Sequence, residues 1–219
     1  MNIERLISPL VPTLTPSDSG NRALELMEEN NLTQLPLVED DYYLALVQES
    51  EIMDWDNQAT KLSDSGRLSY KPAIPISAHP FDALRITNQM NLSVLPVVDF
   101  ENKYLGAITR ETLLKYITET SGLDNPGGII VLEMLPRNYS LYQIARICEN
   151  EDVSILFSQV YTTPDGMLEV TLKTNRTSLE AVASSFERHE YRVKEVYGDQ
   201  KNIEDVMGKY NLLMNYLNM

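Results

Sequence analysis

Hydrophobic and polar positions along this chain follow patterns that predict a mixed α/β protein. Short apolar runs at 35–38 and 95–98 are typical of buried strands. Apolar residues three or four positions apart follow Ser19 and start again at Phe81, and this spacing predicts amphipathic helices. Further strands at 43–47 and 104–108 each lead into another helix. Each stretch of about sixty residues therefore predicts strand, helix, strand, strand and helix.

An internal repeat is the strongest constraint on the fold. Residues 91–99 are NLSVLPVVD and residues 31–39 are NLTQLPLVE, so five of the nine positions are identical. Ala-Leu pairs at 23 and 83 extend the match, and so do Tyr-Leu pairs at 43 and 104, with one residue inserted before the last. Two copies of one unit predict two similar halves that pack together across a pseudo-two-fold axis.

Residues 128–197 predict a third unit with a different order. Residues 120–128 contain one Pro and three Gly, and they are predicted to be a linker. Thr163-Pro164-Asp165-Gly166 predicts a hairpin turn, since Gly adopts positive φ readily. The predicted strands are 129–133, 153–158, 168–172 and 191–196, and the predicted helices begin near 141 and 178. The resulting βαββαβ order is the ferredoxin-like arrangement.

Composition and charge narrow the class of protein. The net charge is −14, so a broad nucleic-acid interface is disfavoured because an acidic surface repels phosphates. No apolar run approaches the roughly 18 residues of a membrane helix, and the first residues lack the pattern of a signal peptide. The only cysteine, Cys148, cannot form an internal disulfide. We therefore expect a cytoplasmic protein that binds neither nucleic acid nor membrane.

Each N-terminal unit resembles a CBS motif, and the pair resembles a Bateman module. The resemblance covers residues 6–118 and rests on the repeated apolar-Pro-apolar-Val strand and on Gly106-Ala107-Ile108-Thr109 leading into a helix. The third unit is similar to an ACT domain, and the whole layout is similar to the acetoin-utilisation protein B group. The implied domains are CBS motifs at 1–60 and 61–122, an ACT-like domain at 123–198 and an amphipathic C-terminal helix at 199–219. That last helix packs either on its own chain or on a partner.

The resemblance implies an adenosine-nucleotide site between the motifs. In CBS motifs a Thr or Ser, followed three residues later by Asp, holds phosphate and ribose. Thr109 occupies the hydroxyl position, Thr112 stands where Asp is usual, and Arg110 is a possible phosphate partner. Three apolar residues are expected to cradle the base, namely Ile76, Leu95 and Pro96.

The first motif departs further from this pattern. Gln48 replaces the hydroxyl and Glu51 replaces the Asp, and a cluster of acidic residues near both would repel a triphosphate. We therefore expect only the second cleft to bind AMP, ADP, ATP or a related ligand. The alternative is that both clefts merely pack.

Catalytic chemistry is not indicated by the sequence. His79 and His189 stand at predicted helix ends, and Cys148 lies on an apolar helix face, so neither a zinc site nor a nucleophile is expected. The loop at 135–140 lacks the Gly of amino-acid-binding ACT domains, which favours dimerisation over amino-acid binding. The sequence thus predicts a non-catalytic, homodimeric sensor that needs no cofactor and controls an unknown partner protein. The alternatives are a constitutive scaffold without a ligand, or an accessory protein of acetoin-type metabolism.

Overall fold

The structure is a computed structural model that describes residues 2–66 and 68–198. Its backbone contacts divide the chain into two compact units, residues 1–117 and 118–219. Both sequence repeats lie in the first unit. The mixed α/β fold class predicted from the sequence is confirmed, whereas the predicted C-terminal helix at 199–219 lies outside the described residues. The predicted domain boundaries stay predictions.

The first unit contains two copies of one arrangement. The first copy comprises α1 (Gly20–Glu29), β1 (Gln34–Glu39), β2 (Tyr42–Gln48) and α2 (Glu49–Met53). The second comprises β3 (Ile74–Pro75), α3 (Pro80–Gln89), β4 (Val94–Val98), β5 (Tyr104–Thr109) and α4 (Arg110–Thr120). β1 pairs antiparallel with β2, and β4 lies between parallel β3 and antiparallel β5. The predicted leading strand of the first copy is reduced to one parallel bridge between Leu14 and Leu37.

The backbone repeats as closely as the sequence does. Asn31 and Asn91 follow the first helix of each copy, with φ of 53° and 52°. Asn tolerates this left-handed conformation better than most residues, so both helices can end in the same tight turn. Irregularities in the strand register also recur sixty residues apart, at Leu37/Val38 and at Val97/Val98.

The two copies are joined through their hairpins. The Tyr43 N–H donates to Asn102 O at 3.2 Å, and the Tyr104 N–H donates to Asp41 O at 2.8 Å. The Asn102 side chain also donates to Tyr43 O at 2.9 Å. Each copy thus extends its partner's hairpin, as a pseudo-two-fold relation requires.

The first unit has two hydrophobic cores, and the core of the second copy also includes Tyr43 and Leu46 of the first copy. Leu35, Leu37 and Met27 are among the buried residues of the first, and Leu92, Leu95 and Ile108 are among those of the second. The connection between the copies is attached to the first core by Leu62, which is fully buried. Trp55 and Leu68 pack against the same core but are only partly buried.

The second unit has a ferredoxin-like fold. Its elements are β6 (Ile129–Met134), α5 (Leu141–Asn150), β7 (Ile155–Thr162), β8 (Leu168–Thr174), α6 (Glu180–Arg188) and β9 (Arg192–Tyr197). The antiparallel sheet has the order β7-β8-β6-β9. Its core includes Ile130 and Leu172 from the sheet and Ile144 and Phe186 from the helices.

Gly127 is required where the linker meets β6. Its φ is +145°, and an added Cβ would lie 1.8 Å from Thr174 O. Only glycine fits such an approach of two backbones.

In the described part of the chain, no helix combines the length and the apolar character that crossing a membrane demands.

Candidate functional site

Thr109 and Thr112 lie together where β5 turns into α4. The Thr112 N–H donates to Thr109 Oγ1 at 3.1 Å, and the two hydroxyl oxygens are 2.9 Å apart. Thr109 is therefore an N-cap that satisfies one of the unpaired N–H groups at the helix start. The hydroxyl is in place for a ligand, but it already has a partner in its own turn.

Arg110 is held by the preceding turn of the same repeat. Its Nε donates to Leu92 O at 2.5 Å, and its Nη2 donates to Asn91 Oδ1 at 2.6 Å. Its backbone N–H donates to Ser93 O at 3.3 Å. The guanidinium is thereby fixed beside the start of α4, with further N–H groups left to donate.

The three residues expected to cradle the base do not form one cleft with Thr109. Leu95 and Pro96 are buried, and Leu95 has no exposed surface. The Ile76 N–H donates to the carbonyl oxygen of Val98, the last residue of β4. Thr109 pairs with Val94 at the opposite end of that strand. Because strands rise about 3.3 Å per residue, roughly 13 Å of β4 separates the two ends.

A polar bridge crosses between the repeats beside the same site. The Ser93 N–H donates to Gln34 Oε1 at 2.8 Å, and the Thr33 N–H donates to Ser93 Oγ at 3.2 Å. Gln34 is only 6% exposed. Sequence reasoning missed both Gln34 and Ser93. The sequence signal that could have identified Gln34 is a polar residue at the start of the otherwise apolar strand β1.

The corresponding position in the first repeat is more acidic. The Gln48 side chain donates to Glu51 Oε1 at 3.3 Å, so this pair bonds within its own turn as Thr109 and Thr112 do. Gln34 Nε2 is 3.5 Å from Gln48 Oε1, which connects the two helix starts through side chains. Both acidic residues in the first turn of α2, Glu49 and Glu51, disfavour an anion there.

Histidine and cysteine side chains have structural environments. His79 Nδ1 accepts from the Phe81 N–H at 3.1 Å and caps α3, and His189 Nδ1 lies 2.8 Å from Ser185 O. Burial raises the pKa of the Cys148 thiol to about 11, so the thiol stays protonated at neutral pH. No group of three or more potential metal ligands occurs among residues 2–66 and 68–198.

A model of the CBS domain family matches residues 3–57 and 69–119. The first unit carries a tandem pair of CBS domains. The matched stretches coincide with the two structural copies and include Thr109, Arg110 and Thr112. The repeated Leu-Pro strands are therefore the central strands of two CBS domains.

The known proteins that resemble this chain match about half of its length. An uncharacterized protein of Methanocaldococcus jannaschii is 29% identical over 109 residues, which is 48% of this chain and 36% of that protein. The chain thus matches little more than a third of this curated relative. A CBS domain pair/ACT domain protein from Thermotoga maritima has a TM-score of 0.49 at 16% identity, covering 54% of this chain and 98% of that one. CBSX2 in complex with AMP has a TM-score of 0.47 at 23% identity, covering 54% and 96%.

Proposed function

We propose that this protein is a non-catalytic regulator that binds an adenosine nucleotide at the start of α4. The observation that carries the proposal is the grouping of Thr109, Arg110 and Thr112 at one helix start within a CBS domain. Unpaired N–H groups and the helix dipole favour an anion at such a position. A phosphate there would accept from the Thr109 hydroxyl and from the remaining Arg110 N–H groups.

The residues expected to contact the base lie apart from Thr109. Leu95 and Pro96 are buried, and Ile76 lies at the far end of β4. The proposal therefore rests on the phosphate and ribose contacts, and the cradle of Ile76, Leu95 and Pro96 needs a rearrangement of the second repeat.

Binding at α4 has a physical route to the other repeat. Arg110 bonds Ser93 through its backbone, and Ser93 bonds Gln34 of the first repeat. A ligand that binds at the start of α4 therefore lies beside the junction of the two repeats. Such a ligand shifts the equilibrium between two relative orientations of the repeats, and the size of the shift is set by the difference in its affinity for the two. The shifted surface is what a regulated partner protein would recognise.

Assembly as a homodimer is the second part of the proposal, and the ACT-like sheet supports it. β7 is an edge strand of eight residues with neither a charged residue nor a proline. The opposite edge, β9, carries Arg192, Lys194 and Glu195. Charges protect an edge from pairing with another strand, whereas an uncharged edge invites it. The chain has a net charge of −14, but β7 itself has no charged side chain. Of the two edges, β7 is thus the one where strands of two copies can pair without repulsion between their own side chains.

A constitutive scaffold is the second candidate function. It is favoured by the hydrogen bond between Thr109 and Thr112 and by the bonds that hold Arg110, since both satisfy the site without a ligand. An accessory role in acetoin-type metabolism has no support beyond the resemblance of the domain layout.

Calorimetric titration of the full chain with AMP, ADP and ATP tests the nucleotide proposal. We expect binding that Thr109→Val weakens about tenfold, because one charge-assisted hydrogen bond is lost. Ser140→Ala is the matched control, since it removes the N-cap of α5 in the other unit and should leave affinity unchanged. Absence of heat for all three nucleotides at millimolar concentration would refute the proposal and leave the scaffold.

A further inference from the structure

A small cavity lies in the second unit where α5 meets the end of α6. Its volume is about 260 Å³, and its lining residues are Gln143, Arg146, Ile147, Asn150, His189 and Tyr191. We call it the helix-corner cavity. Drug-sized ligands occupy roughly 300–1,000 Å³, so this cavity suits a ligand of only a few non-hydrogen atoms.

The floor of the helix-corner cavity is apolar and fixed. Ile147 is 3% exposed and Tyr191 is 8% exposed. The Tyr191 ring packs edge-on against Phe186, with centroids 5.8 Å apart, and its hydroxyl donates to Gln143 Oε1 at 3.0 Å. Burial raises the pKa of Tyr191, so the hydroxyl remains a donor and holds Gln143 in place.

Polar groups around the cavity are mainly donors. The bond from Tyr191 uses Gln143 Oε1 and leaves the two N–H groups of the amide. His189 Nδ1 contacts a carbonyl, which only accepts, so Nδ1 carries the hydrogen, and in this tautomer Nε2 is an acceptor rather than a donor. Arg146 has no ion pair in the described part of the chain, although it can donate five hydrogen bonds.

The helix dipole does not explain why a cation stands here. Dipole stabilisation falls off within the last turn, and the last turn of α5 contains no basic residue, since Arg146 precedes it. The last turn of α6 already has Arg188, which pairs with Glu151 at 3.3 Å. None of the residues lining the cavity is acidic. Arg146 is thus an unused cation beside an apolar recess in a strongly acidic protein.

We propose that the helix-corner cavity binds a small carboxylate with a short apolar tail. Arg146 takes the carboxylate in a bidentate manner, Gln143 and Asn150 add amide donors, and the tail covers Ile147 and Tyr191. A ligand with an additional ammonium group is disfavoured, because no lining carboxylate pairs with it. This site is in the other unit and does not depend on the proposed nucleotide function.

Three probes with related shapes test the proposal on the full chain. 3-Methylbutyrate has a carboxylate and an apolar tail. L-Valine adds an ammonium group to the same tail, and inorganic phosphate has negative charge without a tail. Amide chemical shifts and calorimetry report binding. We expect 3-methylbutyrate to shift the amides of 143–150 and 189–191 and to bind at least tenfold more tightly than either other probe.

Paired variants locate the site. Arg146→Gln should weaken 3-methylbutyrate binding tenfold or more, and Arg188→Gln should change it less than twofold, since Arg188 lies outside the cavity. Asn150→Asp places a carboxylate in the lining, should likewise weaken binding tenfold or more, and serves if the first variant is poorly folded. The proposal fails if 3-methylbutyrate shifts no amide at 50 mM, if valine or phosphate binds as tightly, or if Arg146→Gln binds like the wild type.

Discussion

The backbone N–H of Ser93 donates to the side-chain oxygen of Gln34 at 2.8 Å, and this bond joins the two CBS domains beside their Leu-Pro strands. Gln34 is buried, and its oxygen also lies 3.3 Å from Ser93 Oγ. One side chain of the first domain thus satisfies two polar groups of the second. The pairing of the domains is therefore specified by polar geometry as well as by apolar contact.

Replacing Gln34 should destabilise the CBS pair. Gln34→Leu keeps the approximate volume but leaves the Ser93 N–H without its acceptor, and an unsatisfied buried group costs about 1–3 kcal/mol. Urea unfolding followed by Trp55 fluorescence measures the loss. Gln89→Leu, at an exposed position of α3, should change stability by less than about 0.5 kcal/mol. Equal effects of both variants would contradict the role of Gln34.

The equivalent residues Asn31 and Asn91 allow the Arg110 contact to be measured. Gly accepts their positive φ without strain, so Asn31→Gly should be close to neutral. Asn91→Gly removes the acceptor of Arg110 Nη2 as well. We expect it to be less stable than Asn31→Gly by about 0.5–1.5 kcal/mol in chemical denaturation. Identical stabilities would show that the Arg110–Asn91 bond contributes nothing.

Two glycines of the ACT-like unit should respond differently to alanine. Both have positive φ, but an added Cβ on Gly127 would meet Thr174 O at 1.8 Å, whereas Gly166 has open space around it. Gly166→Ala should cost about 1–2 kcal/mol through backbone strain alone. Gly127→Ala should cost clearly more, because the strands must separate. Thermal unfolding by circular dichroism makes the comparison, and similar melting temperatures would contradict it.

A lysine on β7 should weaken the proposed homodimer. Val160 and Val196 are 43% and 44% exposed, on opposite edges of the same sheet. Val160→Lys places like charges at an edge that meets its own copy, so sedimentation should show at least a tenfold weaker dimer. Val196→Lys on β9 should leave the dimer unchanged. A Val160→Lys protein that remains as dimeric as the wild type would exclude β7 as the contact.

Cys148 should make the ACT-like unit less stable in alkali. Its pKa is raised from 9.0 to about 11 by burial, so the folded state retains a proton that the unfolded state has lost. This contribution is complete below pH 9 and is lost as the pH rises towards 11. Cys148→Ala should therefore show a shallower decline of unfolding free energy between pH 9 and 11. The slope is the measurement, since the absolute stability also changes with the lost sulfur. Parallel slopes would disprove the effect.

Local features of the fold were predictable because they depend on neighbouring residues. The helix start at Arg110, the turn at 163–166 and the repeated strands follow from capping, turn and apolar patterns. β7 extends to Thr162, four residues past the predicted strand, because pairing with β8 continues to the hairpin. The predicted leading strand of the first repeat is reduced to the bridge between Leu14 and Leu37, because the length of a strand depends on how far its partner strand pairs with it.

The candidate site was predictable only where it is local. Thr109 and Thr112 are three residues apart at a helix start, so their contact follows from helix geometry. Ile76 was predicted in the same site, and the parallel pairing of β3 with β4 places it at the other end of the strand from Thr109. The Gln34–Ser93 bond depends on how two domains dock, and no pattern within one repeat encodes it.

Asn102 has a consequence for how a duplicated protein avoids pairing with the wrong half. It belongs to the longer hairpin of the second repeat, and its counterpart in the first repeat is Asp41, whose carbonyl accepts from the Tyr104 N–H. An Asp carboxylate cannot donate, so only Asn102 adds a side-chain hydrogen bond. Its amide and its carbonyl both clamp the backbone of Tyr43. A like-with-like exchange between chains, first repeat against first repeat, lacks this clamp. We therefore expect the difference between Asn102 and Asp41 to favour pairing of the two repeats within one chain over pairing of identical repeats from two chains.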